Sequence, residues 1–212
     1  MQRDANATRA RIFRAASDEF AEHGIAGARV DRIADAAQAN KARIYEYFGN
    51  KEQLFETVLE EELHRLILDL PVAGDVDAIA EIVGRAFDYH QAHPNLVRLL
   101  HWEALHFGTS AIPGEIARRR FYADRVALLG EGQQQGLIET EFDSRHLHFL
   151  LLSLATSWFG LPQLARLHID GDPFAEHSTT EHRRNIVLAV EQILAASATA
   201  APTDNGATSH EA

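Results

Sequence analysis

The polar side chains Asn40, Lys41, Arg43, Glu46, Tyr47 and Lys51 crowd a short stretch of the 212-residue chain. Arg43 can donate paired hydrogen bonds to a guanine edge or a phosphate, and Lys41 and Lys51 can meet a phosphate as point charges. That is the chemistry of nucleic-acid recognition, provided one helix presents these groups on a single face. The twelve histidines invite a different chemistry. His90 and His93 stand three apart, His146 and His148 two apart, and His101 and His106 five apart. None of these pairs comes with carboxylates at ligand spacing, so no metal site is expected. The absence of cysteine excludes disulfides, thiolate zinc sites and cysteine nucleophiles. No Gly-x-Ser-x-Gly elbow, phosphate-cradling glycine loop or dinucleotide fingerprint occurs, so neither an enzyme nor a cofactor is expected.

A third group is apolar with sparse polar tips. Between His90 and Tyr122 the sequence concentrates Trp102, Leu105, His106, Phe107, Phe121 and Tyr122. Such a mixture suits a small-molecule pocket, and it equally suits an ordinary helical core. Phe87, Trp102, His106, Phe121 and Arg125 are the candidate lining residues.

The elements that must position these groups read as helices throughout, so the fold class is all-α. The first is expected from Thr8 to His23, with Ile12, Ala16 and Phe20 on one stripe and Gly24 as its stop. Two short helices follow, Val30–Ala37 and Asn40–Phe48, the second capped by Asn40. Joined by a tight turn, they make a helix-turn-helix, whose second helix enters a major groove. Ile44 and Phe48 face inward onto Ile12, Phe20 and Ile33, which leaves Asn40, Lys41, Arg43 and Glu46 outward. Three packed helices with a merely charged surface would show the same spacing. Asn50 and Gln53 form a capping box for a helix from Lys51 to Leu70. Longer helices are expected at Asp75–His93, Pro94–Gly108, Pro113–Gly136, Asp143–Leu167 and from Thr179 or Thr180 to Ala196. The expected division is residues 1–50 for the helix-turn-helix domain, 51–196 for a larger helical domain, and a disordered tail at 197–212.

Charge separates these regions. The chain carries 20 Lys and Arg against 31 Asp and Glu, net -11. Residues 1–51 hold nine of the bases and seven of the acids, so the net negative charge lies beyond the short helices. No apolar run reaches the roughly 20 residues of a membrane helix, and charges interrupt residues 1–22 too often for a signal peptide. A cytoplasmic protein with no membrane partner is expected.

The run IADAAQANKARIYEYFGNKEQLF, residues 33–55, preceded by Phe20, Gly24 and Val30, closely resembles the tetracycline-repressor (TetR) family of transcriptional regulators. The ungapped match joins Ile33-Ala34, Ala37, Ile44-Tyr45, Tyr47-Phe48, Asn50-Lys51 and Leu54-Phe55. The resemblance implies a repressor that binds a near-palindromic double-stranded DNA operator as a homodimer and is released by an apolar or aromatic small-molecule effector. It also implies that Tyr45 and Tyr47 touch backbone and base methyls, Lys51 holds a phosphate, and Lys41 and Arg43 face base edges. Arg29 stands where the family has a capping Ser or Thr; it can bind phosphate but loses the cap. Gln38 stands where the family's turn has Gly, at a cost of order 1 kcal/mol. Arg3, Arg9 and Arg11 are either phosphate contacts from an N-terminal arm or a solvated surface.

The stretch Leu147–Leu161 is apolar nearly all round, so it must be covered on two sides. Dimerisation through the last two long helices is what the resemblance implies. Leu147, Leu151, Leu154 and Trp158 form one stripe, and Ile186, Val190 and Leu194 another; periodicity leaves open whether each serves the dimer or the subunit's own core. The alternative function is a helical small-molecule-binding or interaction protein whose helix-turn-helix no longer binds DNA.

Overall fold

In the computed structural model, the described residues 2–68, 75–112 and 114–195 form ten α-helices and no strand. In chain order these are α1 (Gln2–Gly27), α2 (Val30–Ala37), α3 (Lys41–Phe48), α4 (Lys51–Leu68) and α5 (Val76–Ala92). They continue with α6 (Pro94–Phe107), α7 (Glu115–Gln134), α8 (Ser144–Gly160), α9 (Pro162–His168) and α10 (Glu176–Leu194). The proposed tail at 197–212 lies outside the described residues, as do Leu70, Pro71 and Pro113.

Local chemistry sets most boundaries. The Asn40 side chain accepts the Ala42 N–H at 2.8 Å, and Asp75 accepts that of Ala78 at 2.9 Å. Asn50 and Gln53 exchange reciprocal bonds of 2.9 and 3.0 Å at the start of α4. Each satisfies an amide that the helix itself leaves without a partner. The short helices bury Ile33, Ile44 and Phe48 against Ile12 and Phe20 of α1, and Phe20 meets Phe55 of α4 edge-on at 5.3 Å. The same apolar core continues without a break into α5, α6, α8 and α10 through Phe87, Leu96, Leu99, Leu147 and Val190.

Four boundaries differ from expectation by more than two residues. Helix α1 starts at Gln2 rather than Thr8 and runs on to Gly27, with Gly24 as a kink (φ 67°, ψ 178°) rather than a stop. The helix expected over 143–167 is two, because Pro162 removes an amide donor and α9 leaves α8 at 81°. No single described helix is long and apolar enough to cross a membrane, and this bent pair is the one combination whose length and composition would serve. Helix α10 begins three residues early. Thr179 does not cap it, because its hydroxyl bonds to the Ala175 and Glu176 carbonyls one turn back.

The two apolar stripes also resolve. Leu147, Leu151, Trp158, Ile186, Val190 and Leu194 are buried in the subunit's own core, and Leu154 is half-buried against it. Trp158 stacks on His182 of α10 at 3.7 Å. The exposed apolar surface is offset from those stripes, at Phe149 and Leu150 on α8, Leu164 and Leu167 on α9, and Leu188 on α10.

Candidate functional site

Helix α3 stands on the surface, held by Ile44 and Phe48 beneath it. Gln38, at φ 50° and ψ 47°, makes the left-handed turn between α2 and α3 without a glycine. Arg29 precedes α2 with no side-chain cap, as its type implies. Its N–H instead donates to Glu19 of α1 at 2.7 Å, and the same carboxylate binds Arg32 at 2.8 Å. Burial raises the Glu19 pKa, but the bonds from Arg32 and Arg29 outweigh it and hold the carboxyl below its ordinary range. Arg11 adds a bond to the Ala37 carbonyl at 3.0 Å, which ties α1 to the end of α2.

The outward residues are unequally free. Arg43 is exposed and has no ion-pair partner among the described residues. Tyr45 is 45% exposed, whereas Tyr47 is half-buried and edge-on to Phe48 at 6.2 Å. Asn40 is exposed but occupied as the α3 cap. Lys41 pairs with Asp31 at 2.8 Å on the surface, a bond that raises the lysine pKa and lowers the aspartate's. Lys51 donates to the Ala26 and Ala28 carbonyls at 3.3 and 3.2 Å, closing the junction between α1 and α2. Arg9 lies over the Phe48 ring at 5.6 Å.

A second feature opens between α4, α5, α7 and α8: a cavity of about 340 Å³. That volume suits a small organic molecule. Its walls are mostly Leu, Ile, Val and Ala, with Phe121, Tyr122, Arg118 and Arg125 from α7 and His148 from α8. Phe121 and Arg125, two of the five sequence candidates, line it. Phe87, Trp102 and His106 do not. Phe87 is fully buried between Phe159 and His182, at 4.9 and 5.6 Å between ring centres. Trp102 packs on the Gly24 kink and donates to the Ala21 carbonyl at 3.2 Å. His106 is exposed and turns its ring edge-on to Phe107 at 4.7 Å. Leu151, expected at a dimer interface, lines the cavity instead.

Arg118 and Tyr122 share a face of α7 with Phe121 and Arg125, so helical spacing extended from those two would have found them. His148 comes from another helix, beyond the reach of any spacing rule. Glu103 of α6 binds Arg118 by three hydrogen bonds of 2.7–3.0 Å, almost out of solvent. Burial pushes the Glu103 carboxyl up while Arg118 pulls it down, and the net shift is upward. Among the described residues no three His, Asp or Glu side chains converge as metal ligands would.

Comparison with known proteins identifies the family. Residues 12–58 match the family model described as bacterial regulatory proteins of the tetR family, and residues 78–192 match a tetracyclin repressor-like C-terminal domain. The transcriptional repressor SCO4008 of Streptomyces coelicolor is 47% identical over 169 residues, covering 80% of this chain and 87% of the relative. The repressor NicS of Pseudomonas putida is 34% identical over 161 residues, covering 71% and 74%. A crystal structure of the regulator SCO4942 of S. coelicolor superposes with a TM-score of 0.75 at 35% identity, covering 88% of this chain and 97% of that one. With the reading helix, the cavity and these matches in place, the chain belongs to the TetR family of transcriptional regulators, and it is a regulator rather than an enzyme.

Proposed function

We propose that this chain is a transcriptional repressor that binds a near-palindromic operator as a homodimer and leaves it when an apolar or aromatic small molecule fills the cavity. Residues 1–50 would read the DNA and residues 51–196 would bind the effector and dimerise. Repression is the role named for both the Streptomyces and the Pseudomonas relatives. The observation that carries the reading is α3 itself, a capped surface helix with an unpaired Arg43 beside an exposed Tyr45.

One reading module makes few contacts. A two-fold pair doubles them and sets half-sites about 34–36 Å apart. The exposed apolar side chains of α8 and α10, Phe149, Leu150 and Leu188, support a partner there, because large exposed apolar groups favour burial. The effector would act by population shift, favouring a form whose two α3 helices are wrongly spaced for DNA.

A helix-turn-helix that no longer binds DNA is the competing reading, and the internal bonds of Lys41 and Lys51 are the observation in its favour. The Lys41–Asp31 pair is solvent-exposed on both sides. Such pairs contribute only about 0–1 kcal/mol, so exchanging Asp31 for a phosphate is easily reversed and does not block binding. Sedimentation equilibrium tests the dimer. The full chain should give twice its 23.6 kDa mass, and Phe149→Glu should give a monomer that no longer retains operator DNA. A wild-type monomer that binds DNA as tightly would contradict the reading.

A further inference from the structure

The cavity wall holds two arginines in unlike states. Arg118 is already paired: Glu103 meets it with three hydrogen bonds, so the pair brings little net charge to the cavity. Arg125, two turns further along α7, is half-buried and has no carboxylate within ion-pair distance among the described residues. Its guanidinium lies over the Phe121 ring, 5.3 Å from the centroid. A half-buried guanidinium with no counter-charge among the described residues is the most favourable place in the cavity for an anion.

Two neutral donors share the wall: His148 lies within electrostatic reach of Arg125, and Tyr122 within reach of the Arg118–Glu103 pair. Tyr122 and His148 are both half-buried cavity residues, with ring centres 5.8 Å apart. Burial, with Arg125 adding to it, pushes the His148 pKa down, so the ring is neutral at pH 7 and can donate a single N–H. Burial pushes the Tyr122 hydroxyl up, so it stays protonated and can donate as well. The one acidic lining residue, Glu60, belongs to the other end. It is exposed, and its carboxylate lies over Gly114, where an added Cβ would collide with it. Gly114 precedes α7, about 16 Å along the helix from Arg125 at 1.5 Å per residue. A carboxylate at the N-terminal end of a helix is favourably placed. Between the two ends the walls are apolar, with Ile79, Val83, Leu129, Leu151 and Leu152 among them.

We infer that the cavity selects amphipathic carboxylates, with the carboxylate on Arg125, hydrogen bonds from Tyr122 and His148, and an apolar or aromatic body along α5 and α8. The inference rests on the proposed role of the cavity as the effector site and specifies the class of effector. It narrows that class by excluding cations and uncharged apolar compounds as favoured ligands.

Three probes of matched shape separate the effector site from its carboxylate preference: naphthoate, naphthalenemethanol and naphthylmethylammonium. Each would be titrated at pH 7 into the full chain, with binding read by calorimetry. Naphthoate should bind about tenfold or more tighter than the alcohol, as a charge-assisted hydrogen bond implies, and the ammonium should bind worst. Arg125→Gln should remove the naphthoate advantage over the alcohol, with a wild-type helical circular-dichroism spectrum showing that the variant is folded. Equal affinities for the three probes, or a preference for the ammonium, would overturn this inference while leaving the cavity as an effector site. Failure of all three to bind would overturn the effector-site reading and this inference with it.

Discussion

Arg43 and Lys51 differ in how each is held, and that difference separates the effects of losing them. Arg43 is free on the surface, so Arg43→Ala should leave stability unchanged and relax preference at one operator position, by about 1–3 kcal/mol of lost discrimination. Selection of binding sites from randomised operators measures this directly, and uniform weakening across all sites would make Arg43 a phosphate contact instead. Lys51 bonds two carbonyls at the α1–α2 junction. Lys51→Ala should therefore cost about 1 kcal/mol in urea unfolding as well as weakening binding to all sequences and lowering the salt slope by about 1. Gln38 holds a left-handed backbone that glycine adopts freely. Gln38→Gly should raise stability by about 1 kcal/mol, and a lower urea midpoint would show that the turn depends on the glutamine side chain. The special roles of Arg29 and Gln38 were legible in the sequence because each is a departure within a dense local motif. The partners of Lys41 and Lys51 were not, because Asp31 and the Ala26 and Ala28 carbonyls approach only once α1, α2 and α3 have packed. In the cavity, Phe121 and Arg125 were legible from their chemistry, while Arg125's lack of a counter-charge depends on which helices surround it.

At the scale of elements, helix type and order followed from caps and periodicity, but the joints did not. Gly24 reads in sequence as a helix stop. In the fold it is a seat for α6: its backbone takes a conformation few other residues tolerate, and a Cβ there would lie 2.6 Å from the Trp102 indole. Trp102 and Arg98 both donate to the Ala21 carbonyl, at 3.2 and 2.7 Å, and Asn95 donates to Asp18 at 2.8 Å. These bonds fasten α6 to the helix that carries the reading module. Gly24→Ala should cost about 2–4 kcal/mol, from backbone strain and the displaced indole together, measured as a lower urea midpoint. An unchanged midpoint would mean that the kink relaxes without loss. The aromatic cluster expected to line a pocket was thus partly misassigned, because an aromatic that closes a helix joint and one that faces a cavity have the same composition. Pro162 was legible as a residue, but its effect was masked by an apolar run that reads as one continuous helix.

For the whole molecule, stability should fall with acid before most carboxylates titrate. His90 is 3% exposed, and burial, with a smaller contribution from His93, pushes its pKa down to about 4. Its Nδ1 has no partner among the described residues, while Nε2 meets Thr156 at 3.3 Å. The folded chain therefore keeps His90 neutral where the unfolded chain protonates it. Stability is full above pH 6.5 and falls as pH drops from there towards 4, by at most about 1.4 kcal/mol per pH unit from this group. His90→Gln should flatten that slope in urea unfolding at pH 7, 6 and 5, and an unchanged slope would place the acid sensitivity elsewhere. The all-helical plan and the helix-turn-helix of α2 and α3 were legible from periodicity, caps and the motif. The face available to a second subunit was not, because the stripes with the strongest periodicity are consumed by the subunit's own core. In the proposed dimer, two copies of α3 read one symmetric DNA sequence. Incubating the purified full chain with fragmented genomic DNA at about physiological salt, then sequencing what it retains, tests this most directly. The proposed function predicts one inverted-repeat motif with half-sites about one helical turn apart, whereas recovery of random fragments alone would contradict it.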